Sequence, residues 1–172
     1  MKYCKTTTVG HEKAIAFPTI IENAYDLFLE EGCNLHHSSP FFNKEVLVIN
    51  GDLLEIQFCV VDGRDLSTKK KSVDVIFAVD DKSTKLFVFA ELKLNSKTFV
   101  RLDKFSLRGK AISSTAALGT SIPICKKYYI IVAKEKYEEA RRIMFRENPR
   151  LNNDFVALRT SDLYLKFFHI EE

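Results

Sequence analysis

The chain has no tryptophan, and its 172 residues include only four cysteines, four prolines, six glycines and two methionines. Cys4, Cys33, Cys59 and Cys125 lie far apart and include no Cys-x-x-Cys pair, which argues against a zinc site and makes buried free thiols the expectation. No internal repeat, low-complexity tract or linker is visible. No apolar run approaches the ~20 residues that cross a bilayer. The first residues, Met1-Lys2-Tyr3-Cys4-Lys5-Thr6-Thr7-Thr8, lack the apolar segment of a secretory signal. An intracellular, cytoplasmic protein is therefore expected. Neither charge sign dominates: 26 Lys and Arg stand against 23 Asp and Glu, a net +3 that is weak support for a polyanionic partner. What matters is where the positive charge sits.

What is present is a hydrophobic fraction of 46%, ordinary for a globular protein, in a chain long enough for one well-buried core. A single domain over 1–172 follows. Thr19-Ile20-Ile21-Glu22 has the form of a capping box after Pro18, which predicts a helix over 19–31. His36-His37-Ser38-Ser39-Pro40 reads as a loop. Val46 to Ile49, the dipeptide Asn50-Gly51 and the run Leu53 to Val61 predict a hairpin with a tight turn, its second arm beside the strand that carries Asp74. Residues 62–71 form a polar, basic connection. Strands at 73–79 and 86–94, joined through Asp80 to Thr84, predict a second hairpin. A helical pattern over 102–118 ends at Gly119; then come a strand at 128–133, a helix at 136–147 stopped by Pro149, a strand at 155–158 and a short helix at 161–168. This order fits an α/β fold, a mixed sheet with helices on both faces.

The most informative residues are the charges placed on apolar strands. Residues i and i+2 of a strand share a face, so Glu91 and Lys93 lie side by side with Leu92 opposite, and a neighbouring antiparallel strand brings Asp74 beside them. Two carboxylates and an ammonium at one place suit a divalent metal and a phosphate. A simpler reading is a same-face ion pair on an amphipathic strand. Phe87 and Phe89 share that face, which is aromatic at one end and charged at the other.

The element order and the series Asp74, sixteen intervening residues (75–90), then Glu91-Leu92-Lys93 resemble the PD-(D/E)XK nuclease superfamily over residues 19–133. Val73 stands where the motif's proline would be. The resemblance implies a restriction-endonuclease-like core, with an antiparallel meander in a mixed sheet. It also implies Mg²⁺ (or Mn²⁺) held by Asp74, Glu91 and the Leu92 carbonyl, and Lys93 as the residue that orients or deprotonates water. Glu22 would be a further acid on the first helix, although the capping box accounts for it too and Glu30 or Glu31 would serve equally. Lys110, with Ser113 and Ser114, could reach a substrate backbone; helix–sheet packing explains the serines as well.

The run Lys69-Lys70-Lys71 leads into the Asp74 strand and is the better candidate for phosphate contact. Arg141, Arg142, Arg146 and Arg150 are the other basic set, partly neutralised by Glu138 and Glu139. His36 and His37 lack a third ligand and read as surface residues. The function expected is a metal-dependent nuclease, a DNA endonuclease of restriction or repair type, with a homodimer favoured if both strands are cut. The alternatives are a catalytically silent nuclease-like module that binds nucleic acid or protein, and an interaction or immunity-type protein that carries these charges by chance.

Overall fold

Two apolar runs, Val75 to Val79 and Phe87 to Ala90, are buried on both faces and form the centre of the sheet in this computed structural model, which describes residues 1–32, 45–82, 84–96, 103–119, 121–146 and 154–169. They belong to β4 (Val75–Asp81) and β5 (Thr84–Lys93), antiparallel from Val75 opposite Ala90 to Asp81 opposite Thr84. On one side, β3 (Leu47–Asn50) pairs antiparallel with β4, and β2 (Ile21–Asn23) pairs antiparallel with β3. On the other side, β6 (Ile124–Val132) and then β7 (Phe155–Arg159) add in parallel. A short β1 (Lys2–Tyr3) lies against the far end of β4. Among the described residues the result is an open, mixed, seven-stranded sheet.

Because both faces are apolar, both are covered. Ile49, Ile76, Phe87, Phe89, Tyr128 and Ile130 share a core with Leu54 of α4 (Gly51–Val61), Leu107 and Leu118 of α5 (Lys104–Leu118), and Ala140 and Met144 of α6 (Tyr137–Arg146). The opposite core joins Val48, Phe77, Val88, Leu92 and Ile131 to Leu27 and Phe28 of α3 (Ala24–Glu30) and to the C-terminal segment. That segment is α7 (Thr160–Leu163), continued as a π-helical turn over Tyr164–Phe168. Each large side chain fully buried here, such as Phe77 or Phe87, contributes roughly 1.5–3 kcal/mol. No helix among the described residues is long and apolar enough to cross a membrane.

Two expectations are overturned. Asn50-Gly51 is not a hairpin turn: the Asn50 side chain accepts from the amides of Asp52 and Leu53, capping α4, so residues 53–61 are helical. The strand-like apolar run misleads because Val60 and Val61 are exposed while the buried positions, Gly51, Leu54, Glu55 and Cys59, follow helical spacing. The helix expected over 19–31 is a 3-10 turn (Pro18–Ile20), the strand β2 and then α3, which Asn23 caps by accepting from the Tyr25 amide. Glu22 thus sits on a strand, and no capping box forms with Thr19.

The hairpin at 73–94, the helix ending at Gly119 (φ 90°), and the strands and helices after it stand where expected. The short helices α1 (Lys5–Val9) and α2 (Glu12–Ala16) were not anticipated, nor was β1. Of the cysteines, Cys59 is a buried free thiol, whereas Cys4 and Cys125 are only half-buried. Cys33, His36, His37, Pro149 and Arg150 lie outside the described residues.

Candidate functional site

Asp74 is positioned by three elements at once. The amide of Gly51, first residue of α4, donates to the Asp74 carbonyl at 3.1 Å, and any Cβ on Gly51 would collide with the carbonyl of Val73. The hydroxyl of Ser114, buried on α5, accepts from the Val73 amide at 2.9 Å. The Leu92 amide donates to Asp74 Oδ2 at 2.6 Å. Ser114 therefore acts on the strand entry, by way of its backbone.

Strand parity turns Glu91 towards α5 and Leu92 into the opposite core, as the sequence implied. Glu91 is only 1% exposed, a burial that a carboxylate tolerates when its oxygens are paired. Its Oε1 receives Lys93 Nζ at 2.7 Å and Lys110 Nζ at 2.5 Å, and its Oε2 receives the Tyr128 hydroxyl at 3.0 Å. Lys110 also reaches Asp74 Oδ1, at 3.4 Å. Two acids and two lysines, from the residue that precedes β4, from β5 and from α5, thus share one cluster.

The electrostatics follow from this crowding. Burial, then the neighbouring Glu91 charge, push the Asp74 carboxyl up to about 6, against the pull of Lys110. For Lys110 burial acts to lower the pKa, but Asp74 and Glu91 together outweigh it and hold the ammonium above its ordinary value. Burial, and after it the charges of Glu91 and Asp74, drive the Tyr128 hydroxyl far up, so it stays protonated and donates.

The cluster forms the floor of a cleft of about 480 Å³, with Lys69, Lys70 and Lys71 among its lining residues. That lysine segment is fixed from beneath. Lys69 Nζ lies 3.5 Å from Asp52 Oδ1, which also accepts from the Ser72 hydroxyl; the Lys70 amide donates to Glu55 Oε1 at 3.1 Å. Glu55 is 1% exposed and takes Arg64 Nη2 on the same oxygen at 3.0 Å, while its Oε2 has no hydrogen-bond partner among the described residues.

Of the residues expected at the site, the structure gathers Asp74, Glu91, Lys93, Lys110 and Lys69 to Lys71. It does not gather Glu22. Opposite Val48 in the β2–β3 pair, Glu22 shares the face away from Glu91, and its Oε2 accepts from the Asn50 side-chain amide at 2.8 Å. Glu30 and Glu31 are exposed at the end of α3. Arg141, Arg142 and Arg146 stand on α6, outside the cleft lining. Tyr128 and Asp52 were not anticipated; the only signal for Tyr128 was a polar-tipped aromatic in a strand otherwise read as apolar interior.

Fold and site together define an α/β protein with an open mixed sheet and a carboxylate–ammonium cluster at the floor of a basic cleft. Set against family models, curated proteins and solved structures, the chain has no match.

Proposed function

We propose that this protein is a metal-dependent phosphodiesterase, a DNA endonuclease of restriction or repair type built on a restriction-endonuclease-like core. The observation that carries the reading is the meeting of Asp74 and Glu91 with Lys93 and Lys110 on the floor of a lysine-lined cleft.

The donor set fits a hard divalent cation, Mg²⁺ or Mn²⁺. It offers oxygen ligands only, and a cation, the Lys110 ammonium, already sits between the two carboxylates. Among the described residues no group of three or more His, Cys, Asp or Glu converges, so the protein's side chains would supply at most the two carboxylates, and water and phosphate the other positions. Asp74 and Glu91 would hold it, with the Leu92 carbonyl as a further oxygen. Bound there, it supplies an acidified water and neutralises charge on the phosphate.

The remaining roles belong to the chain's own groups. Tyr128, kept protonated by burial, fixes the rotamer of Glu91. Lys93, a third exposed at the cleft, orients the attacking water and meets negative charge as it develops on the phosphate. Lys69, Lys70 and Lys71 bind the flanking backbone. Cutting both strands in one encounter calls for a second copy of the chain.

The test is cleavage of supercoiled plasmid and of a matched RNA in Mg²⁺ buffer by the wild type, Glu91→Ala and Lys93→Ala. A loss of at least about a hundredfold in each variant is expected. Cleavage at the wild-type rate by either variant would refute the assignment. One observation favours a second reading, a silent binding module: both oxygens of Glu91 already accept hydrogen bonds from the protein. That reading requires the wild type to bind DNA and cut nothing.

A further inference from the structure

We infer that Lys110 is an exchangeable internal counter-ion. It occupies the position between Asp74 and Glu91 until a divalent cation binds, then leaves the carboxylates and becomes available to a substrate phosphate. The inference rests on the cation site proposed above, and adds to it a competition that couples metal loading to phosphate recognition.

Three observations carry it. First, Lys110 touches both acids, at 2.5 Å on Glu91 Oε1 and 3.4 Å on Asp74 Oδ1, whereas Lys93 bridges to Glu91. Second, the two acids leave a newcomer little else. Tyr128 takes Glu91 Oε2 and the Leu92 amide takes Asp74 Oδ2, so the oxygens on which Lys110 sits are the ones an incoming cation would contest. An ammonium and a dication on the same oxygen pair repel each other, the more so because Glu91 is buried. Third, Lys110 stands at the cleft wall rather than in the core. Its side chain is 17% exposed and borders the cleft shared with Lys69 to Lys71, and it carries its charge on a flexible four-carbon stem.

By linkage, the ion pairs that Lys110 makes in the metal-free protein are subtracted from the affinity of any cation that must displace it. Removing the ammonium should therefore tighten cation binding. This is the opposite of what a residue that merely supports the site would do. The gain expected is about tenfold or more, the size of one charge-assisted hydrogen bond.

The experiment is Mg²⁺ and Mn²⁺ titration by calorimetry at pH 8 on the full chain, as wild type, Lys110→Met and Lys110→Gln. Acetylation of Lys110 in the wild type is followed alongside by mass spectrometry, with and without Mg²⁺. We expect both variants to bind at least about tenfold tighter. We also expect wild-type Lys110 acetylation to rise severalfold with the same midpoint as the calorimetric curve. Binding by the variants alone would support the inference at its limit. Equal or weaker binding by the variants, with unchanged acetylation, would overturn it while leaving the cation site intact. No binding to any of the three proteins would overturn both. Should the variants fail to fold by circular dichroism, the wild-type acetylation result decides.

Discussion

The Leu92 amide donates to the Asp74 carboxylate at 2.6 Å, so the middle residue of the Glu-Leu-Lys triplet holds the first acid of the cluster. Paired strands end at Val75 opposite Ala90, and one residue further on the Asp74 side chain stands in for a missing strand partner. Asp74 thus has a structural task, satisfying a backbone donor, besides the chemical one proposed for it.

That dual task gives Asp74 a signature in pH. Its carboxyl is raised from 3.8 to about 6, so between these values the folded protein retains a proton that the unfolded chain has lost. Stability contributed by that proton is complete below 3.8, declines as pH rises through about 6, and is absent above. Relative to Asp74→Asn, the wild type should lose up to about 3 kcal/mol between pH 4 and pH 7 in urea unfolding. Parallel curves for the two proteins would show that Asp74 ionises normally.

Gly51→Ala tests the contact between α4 and the strand entry. The new methyl meets the Val73 carbonyl, which is backbone and cannot rotate away. We expect a destabilisation of about 3 kcal/mol and a fall in Tm of roughly 10 °C by calorimetry. Asn50→Ala, which removes only the cap, should cost about 1 kcal/mol. Equal effects of the two would mean that the close approach does not matter.

Glu55 anchors the lysine segment without lining the cleft. Its Oε1 accepts from the Lys70 amide and from Arg64. Glu55→Ala should speed hydrogen exchange at the Lys70 amide about tenfold or more and weaken DNA binding although no lysine is lost. Glu55→Gln keeps an acceptor oxygen and should restore most of both. Unchanged exchange in the alanine variant would remove Glu55 from this role.

The lysines themselves are tested by salt. Replacing Lys70 or Lys71 by Ala should lower the slope of log affinity against log salt by about 1 each. Lys69 should matter less, because Asp52 already engages it. Arg141→Ala, on α6 and away from the cleft, should leave the slope unchanged. A slope insensitive to the lysines would mean that phosphate is gripped elsewhere.

The parts of this fold that were legible in sequence are those where one physical signal dominates. Val75 to Val79 and Phe87 to Leu92 read as strands because they are buried on both faces, and the charges at their ends announced the site. Asn50-Gly51 was misread because one dipeptide serves two devices: asparagine accepts from amides at a helix start as readily as it forms a tight turn. The Val73 carbonyl packed against Gly51 belongs to the helical arrangement, and that contact spans residues distant in sequence. Glu22 was misassigned for a related reason, since Asn23 supplies the cap that Thr19 promised. The sequence suggests Lys110 for contact with a substrate backbone; that it bridges two acids depends on α5 packing beside Asp74 and β5, which no local pattern encodes.

The suspension of residues 73 and 74 from Gly51, Ser114 and Leu92 has a consequence for how variation in this chain will be read. A substitution at Gly51 or Ser114 touches no group that lines the cleft, yet tilts the peptide from which the acid hangs. Such changes will behave in a screen like lesions of the site itself. A map of sensitive positions will therefore outline a tripod around Asp74, wider than the ring of charges it supports.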